Sequence, residues 1–514
     1  MVQYLNNNNG FNQWADMQNQ KKPSRFSGFL WWLCLFFFAW WVMGLFFGPK
    51  NIQTNIPNEV VVEKSLAQTR NVSNDVVAFD VTGLRISNVV LKQHLKDSKS
   101  KEPVSLLAKE NNFVEIGFVS SDVQTPNINT KWENKSGVMH YGKDVHFARE
   151  ITVDGYMIKV SDKITNHLNK EISITPYARV INSGADVKSS VVETGGVVYA
   201  NSKLDYANWN KLNKKSLAYS TVRGSFGFAD QYWETIASVD ANDQTISLKK
   251  SGDLYLADSN IAPVKIGAGK THEINTYVFS GPRQADLLKI ASNDIPGITK
   301  TVDYGWFWFF AQPMLWMINW LYALVGNYGI AIILMTLILR ILIWPLTRKS
   351  YVSTMMMQKM QPELQRVQKL YANDKARLQM EMMKVYQTHK TSPMSGCLPM
   401  LIQIPIFFAL YKALIISVPM RSAHFLWISD LAAMDPYFIL PILMGATMWL
   451  QQYLQTPKTA KGANDIAAST QRVMKWMPVL FTLMFAWMPA GLVLYWTVSN
   501  LFGILQMYII KKTN

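Results

Sequence analysis

Arg340 stands inside residues 328–346, a run with no other charge (YGIAIILMTLILRILIWPL). A guanidinium keeps its proton at any biological pH, so a fixed positive charge sits in an apolar segment. It lies about seven residues, or ~10 Å of helical rise, short of the basic stretch that follows. An arginine at that depth faces a bundle interior or a wet cavity, or snorkels to the surface on its long stem. Thr336 is one helical turn away on the same face. Gln403 belongs to the apolar run 398–418, and Tyr495, Trp496, Ser499 and Asn500 to the last one, 476–510. Polar groups converging from separate helices predict a hydrated hollow with a fixed charge, which can attract acidic groups. His94, His140, His146, His167 and His272 have no metal-ligand spacing. There is no GxxxxGK[ST] phosphate loop, and nothing predicts a cofactor or a metal.

The elements that would carry these residues follow from composition. Of 514 residues, 49% are hydrophobic and 17% charged, against a usual ~25% charged. That excludes disorder, and two cysteines exclude a disulfide scaffold. Residues 51–300 hold 29 Lys and Arg against 27 Asp and Glu, whereas residues 301–514 hold 18 against 7. Basic residues beside apolar runs point to a membrane protein; a nucleic-acid binder would carry its basic face on a soluble domain.

Residues 29–47 are 19 without a charge, preceded by Lys21, Lys22 and Arg25. That is long enough to span a bilayer core of ~30 Å and lacks a small-residue cleavage site, so it reads as an uncleaved anchor. Further runs lie at 328–346, 398–418 (with Lys412 near its end, placed to snorkel) and 436–454. The run 476–510 is broken at Pro489-Ala490-Gly491 into a hairpin of two spans, the first of them short. From Arg472 to Pro489 is only ~26 Å at helical rise, and a short span thins the bilayer. Loop 348–390 has nine Lys and Arg, and loop 455–475 has four, whereas 419–435 has only Arg421. The excess puts both termini and the basic loops in the cytoplasm. Parity then lays 306–322, with its four tryptophans, along the outer interface. Loop 348–390 reads as an amphipathic helical hairpin, its apolar positions Met360, Leu364, Val367 and Leu370 facing Met382, Val385 and Tyr386. Its methionines suit either varied apolar partners or the packing of the two helices together. Cys34 and Cys397, in or near cytoplasmic halves of spans, are expected to stay reduced.

Residues 55–298 read as β. Tyr156, Ile158 and Val160 alternate, as do Ile172 and Ile174, and Leu254 and Leu256; Ile274, Tyr277 and Phe279 do so with a slip. Turn formers such as Gly195-Gly196 and Asn242-Asp243 punctuate them, which suggests a large sandwich.

Several segments carry a resemblance. Gly281-Pro282-Arg283, TVDYGWFWFFAQP at 301–313, GNYGIAIILMTLILRILIWPLTRKSY at 326–351, QPEL at 361–364, SGCLPMLIQIPIFFALY at 395–411, MPAGLVLYWTVSN at 488–500 and, more loosely, GSFGFADQYW at 224–233 closely resemble the YidC membrane-protein insertases of Gram-negative bacteria. The resemblance covers nearly all of 28–510. It implies an α-helical membrane bundle, a five-span core plus an N-terminal anchor span, with a large all-β periplasmic domain of supersandwich type. The implied division is 1–27 cytoplasmic tail, 28–48 anchor, 49–300 periplasmic domain, 301–325 interfacial amphipathic helix and 326–514 core. It implies an inner-membrane, multi-pass protein with a positively charged, hydrophilic groove. Arg340, Gln403, Tyr495 and Trp496 fall on groove positions of the family, and Thr336 and Asn500 join them from the reading of the spans. Implied partners are nascent membrane proteins, alone or with the Sec translocon, ribosome or targeting factors at the cytoplasmic face, and the lipid bilayer; no cofactor and no specific nucleic acid are implied. Trp496 stands where the family often has tyrosine, and Lys412 and the Asn-rich tail also depart from its pattern.

Two other functions compete. A channel or solute transporter commonly has inverted repeats around a midplane site, and no such repeat is visible. An anchored periplasmic sugar-processing enzyme would need neither Arg340 nor a basic hairpin.

Overall fold

The computed structural model describes residues 65–96, 100–184, 194–389, 398–455 and 465–513, all within one compact unit, Thr54–Asn514. The tail 1–27, the anchor 28–48, Cys34 and Cys397 lie outside the described residues.

Among the described residues the β region forms two antiparallel sheets, of ten and nine strands. The main path of the first runs Thr69–Ser73, Val77–Thr82, Arg85–Leu95, Phe113–Val119, Ile172–Asn182, Leu254–Ile261, Gln244–Ser251 and Leu217–Thr221. The second runs Lys203–Asn208, Gly195–Ala200, Ser225–Ala229, Trp233–Val239, Thr271–Pro282, Met157–Asn166, Val145–Asp154, Val138–Tyr141 and Glu133–Lys135. Alternation places Ile158, Val160 and Ile164 of one sheet in a common core with Val114, Ile116 and Ile174 of the other. The slip near Ile274 resolves simply: Ile274, Thr276 and Val278 point inward and Tyr277 points out. Within the core, Arg149 pairs with Asp162 at 2.7 and 2.9 Å and donates to the Ile116 carbonyl at 3.0 Å. One satisfied guanidinium thus ties the two sheets together.

A second buried knot ends the β region. Arg283, 5% exposed, lies 3.6 Å from the Glu234 carboxylate. It donates to the Asp230 carbonyl at 2.6 Å, to the Tyr206 hydroxyl at 2.9 Å and to the Thr301 carbonyl. The Thr301 hydroxyl closes the ring on Glu234 at 3.1 Å. The segment leading to the helices is therefore fixed to the sheet by charge and hydrogen bonds rather than by apolar packing alone.

The helical region contains, among the described residues, α1 (Trp308–Val325), α2 (Tyr328–Leu342), α3 (Trp344–Leu370), α4 (Lys375–Thr388), α5 (Leu398–Ile416), α6 (Ile439–Gln455), α7 (Asp465–Phe485) and α8 (Ala490–Thr513). α1 buries Ala311, Met314, Ile318 and Leu321, a helical stripe, and leaves Trp308, Trp316 and Trp320 exposed. Gly326, at φ 67°, turns the chain sharply into α2, which Asn327 caps by accepting from Ile330 N at 3.2 Å.

The run 328–346 is not one straight segment. α2 ends at Leu342, and α3 leaves it at 66°. Pro345 lacks an N–H and disfavours helical backbone in the residue before it, so it sits in the first turn of a new helix. The hairpin expected to begin at 348 thus begins at Trp344. α3 and α4 pack through Met360, Leu364 and Val385, with Val367, Met382 and Tyr386 against them. Leu370, expected in that seam, is exposed, as are Met356, Met380 and Met383, whereas Met360 and Met382 pack the two helices together. Among the described residues α8 is long and apolar enough to cross a bilayer by itself, α2 meets that test together with α3, and the apolar stretches Gln403–Ile416 and Lys475–Phe485 are shorter.

Burial pushes the Glu234 carboxyl up to about 7, outweighing Arg283 and Thr301, which lower it. The folded state then binds a proton more tightly than the unfolded chain, so the stability from this group is greatest at low pH. It falls as pH rises from the unfolded value near 4.5 through about 7, and is level above that. Thermal unfolding of the purified protein across pH 5 to 8 is expected to show this decline, and Glu234→Gln to flatten it. An unchanged profile in the variant would refute the assignment.

Candidate functional site

The polar residues of the helical region meet on α8. Tyr495 and Ser499 are one turn apart, so both present the same face. From α2, Arg340 Nε donates to Ser499 Oγ at 3.1 Å. From α5, Gln403 Nε2 donates to the Tyr495 hydroxyl at 2.6 Å. Tyr495 and Ser499 thus set the two hydrogen bonds one turn apart on α8. The result is a chain of neighbouring polar side chains, Gln403, Tyr495, Ser499 and Arg340, drawn from three helices and joined by two hydrogen bonds. Tyr495 and Ser499 are buried, whereas Arg340 and Gln403 are half-buried. Among the described residues Arg340 has no carboxylate partner, and its hydrogen bond is to the hydroxyl of Ser499. Such a site can attract an anion and offer hydrogen bonds to polar groups; among the described residues there is no cluster able to hold a metal ion.

The other expected groove residues have different surroundings. Thr336 is fully buried and donates to its own helix at Ile332 O, 2.6 Å; sharing a face by spacing did not bring its hydroxyl to Arg340. Asn500 is buried and donates to Met444 O at 3.4 Å and Thr447 Oγ1 at 3.3 Å, tying α8 to α6. Trp496 packs among Phe407, Phe481 and Phe485 with ring centroids 5.6, 6.2 and 5.1 Å away. It forms an aromatic wall beside the polar chain.

The N-terminal end of α8 is closed. Ala490 N donates to Ala433 O at 2.7 Å and Gly491 N to Leu431 O at 2.9 Å. Those carbonyls satisfy helix-start amides that would otherwise be orphaned. The same loop is bound to the β region. Arg421 donates to the Leu95 carbonyl at 2.7 Å and to that of Lys96, and its guanidinium lies 5.7 and 5.6 Å from the Tyr232 and Trp233 ring centroids. Gln231 donates to Ile415 O at 3.0 Å. Lys412, expected to snorkel, forms an ion pair with Asp303 at 3.0 Å. Burial alone would raise the Asp303 carboxyl, but Lys412 and the Gly305 amide hold it below its ordinary value. His94, against Trp233 and bonded to the Tyr156 hydroxyl, is held below its ordinary value by burial and then by Arg421. Sequence spacing carried no signal for Arg421, which acts at a distance of more than 300 residues.

The family model of the YidC periplasmic domain matches residues 69–317, and that of the 60Kd inner membrane protein matches residues 320–514. The membrane protein insertase YidC of Rickettsia rickettsii (strain Iowa) is 33% identical, with 88% of this chain and 89% of the relative covered. The chain belongs to the YidC membrane protein insertase family. The YidC insertase of Magnetococcus marinus is 34% identical over 85% of this chain and 83% of the relative. The crystal structure titled as an active YidC insertase with its first transmembrane domain resolved covers 86% of this chain and 94% of that one, at 18% identity and a TM-score of 0.37. The protein is thus an inner-membrane insertase, and the reading as a sugar-processing enzyme falls.

Arg421→Ala removes two carbonyl contacts and the charge over Tyr232 and Trp233. Hydrogen exchange is expected to quicken about tenfold at residues 91–96 and 417–423 as this local contact opens, with the unfolding temperature lowered by only a few degrees. Unchanged exchange in both segments would mean that the contact holds nothing.

Proposed function

We propose that substrate polypeptides pass over the chain Gln403–Tyr495–Ser499–Arg340. The spans around it, α2, α5, α6, α7 and α8, form a five-span core, and residues 28–48 are an anchor. The basic loops and both termini lie in the cytoplasm, the β region lies in the periplasm, and α1 lies along the outer interface. The observation that carries this reading is Arg340. A guanidinium set between helices, bound to a serine hydroxyl and, among the described residues, to no carboxylate, keeps its field for an incoming acidic group. Closure of the α8 start by residues 431–433 fits a groove open only to the cytoplasm and lipid. Arg340 and Gln403 contact the substrate, Tyr495 and Ser499 connect them, and Trp496 lines the wall. Thr336 and Asn500 serve the groove by holding α2 and α8 in place. The Sec translocon and ribosomes or targeting factors are partners at the core and at the basic hairpin.

Arg340→Lys should keep much of the activity, since a point charge suffices for attraction. Arg340→Ala should slow substrates with acidic translocated tails by about tenfold, the loss of a charge-assisted hydrogen bond of ~1.5 kcal/mol, and neutral-tailed ones less. Liposomes containing each variant, given a matched acidic and neutralised substrate, test this. Equal slowing of both by a folded Ala variant, or slowing of neither, would defeat the charge reading.

A further inference from the structure

Gln506 on α8 is fully buried, and neither its side-chain oxygen nor its nitrogen has a hydrogen-bond partner among the described residues. It shares a face with Ser499, Gly503 and Ile510, spaced by four, three and four residues; Ser499, Gly503, Gln506 and Ile510 are all buried. Ser499 is the residue that receives Arg340, and Gln506 lies ~10 Å further along the helix.

We infer that the Gln506 carboxamide is a second contact for the entering polypeptide, hydrogen-bonding the backbone of its polar tail on the same face of α8 that carries Ser499. This rests on the reading of the Arg340 chain as the insertion path. Polar groups meet α8 at Gly503, one turn before Gln506. A Cβ at Gly503 would lie 2.9 Å from Gln451 Nε2 and 3.2 Å from the Tyr351 hydroxyl. The bare backbone of α8 therefore runs beneath the Gln451–Tyr351 hydrogen bond, itself 3.3 Å long. α3 adds Thr347, Ser350 and Tyr351, all buried. The Thr347 hydroxyl is spent on its own helix, on the Ile343 and Trp344 carbonyls at 3.2 and 3.0 Å.

Helices held together only for stability would be served by leucine at position 506, which fills similar space and strands no polar atom. A carboxamide presents one acceptor and two donor hydrogens, the complement of a peptide group. A hydrophilic tail leaving water needs such partners for its backbone. Gln506 is fully buried, so in this proposal a neighbouring helix, α3, lifts from α8 to give access. α3 joins α2 through the bend at Ile343, so it can move without unwinding α2.

The test uses the full chain in membrane vesicles, with Cys34 and Cys397 replaced by serine. Ser499→Cys and Gln506→Cys are challenged with stalled nascent chains of a single-span protein bearing one cysteine in its polar tail. Disulfide crosslinks to the tail are expected from both positions. In parallel, Gln506→Leu should slow insertion of that substrate roughly fivefold, the effect of one hydrogen bond, and leave a tail-less version at the normal rate. Crosslinking at 499 but not at 506 overturns this inference and leaves the Arg340 reading standing; crosslinking at neither removes both. Normal insertion by Gln506→Leu, or equal slowing of both substrates, also overturns it. Should Gln506→Leu fail to fold, the crosslinks alone decide.

Discussion

A guanidinium cannot be discharged, and it is costly to leave in an apolar bundle. The arrangement around Arg340 answers that constraint without cancelling the charge. Ser499 binds it, and one turn away on the same face Gln403 reaches Tyr495 from α5. A carboxylate would be the stronger partner, but it would consume the field. Helix positions follow from this choice: α2 and α5 must approach the same face of α8, and the aromatic wall of Phe407, Phe481, Phe485 and Trp496 fills the space beside it. The Ser499 hydroxyl holds the side chain in place without cancelling its charge.

The β region is fastened to this bundle by a separate set of polar contacts. Arg283 with Glu234 and Thr301, Lys412 with Asp303, and Arg421 on backbone carbonyls and aromatic faces all lie at the junction. Apolar seams between sheet and helix could slide, whereas these contacts have one geometry each. The Arg421 contacts fix the loop whose carbonyls at 431 and 433 cap the start of α8. The β region and the helix carrying Tyr495 and Ser499 are therefore linked through one loop.

The sequence displayed some of this plainly and hid the rest for physical reasons. Sheet alternation was legible at Ile158 and Val160, because a half-buried strand repeats every two residues. At Ile274 it misled, because the inward residue there is Thr276, a polar side chain in an apolar row. The bend at Pro345 was legible as a proline but was read through, because the hydropathy of 328–346 continues across it. Arg340, Gln403 and Tyr495 stood out as polar residues in apolar runs. Thr336 and Asn500 stood out for the same reason yet bond within or between helices, since composition does not reveal where a hydroxyl finds its acceptor. Lys412 was legible as a charge at a span end, but its partner Asp303 was not, nor were the partners of Arg421, the Leu95 and Lys96 carbonyls, because both are set by tertiary folding.

Magnitudes decide what the charge does in the proposed path. An apolar span of 20 residues gains roughly 6–12 kcal/mol on entering the bilayer, at about 0.3–0.6 kcal/mol per residue, and each acidic residue crossing the centre costs about 2.5–3.5 kcal/mol. A tail with two acids therefore leaves insertion favourable overall but obstructed midway. A fixed cation near the path reduces the obstruction and adds nothing to the final state, because the tail leaves it behind. The apolar segment supplies the direction and the guanidinium affects the rate, so no nucleotide chemistry is required of the site. The same comparison explains why an unpaired arginine serves better than a paired one: an ion pair would have to be broken, at several kcal/mol, before each substrate could use it.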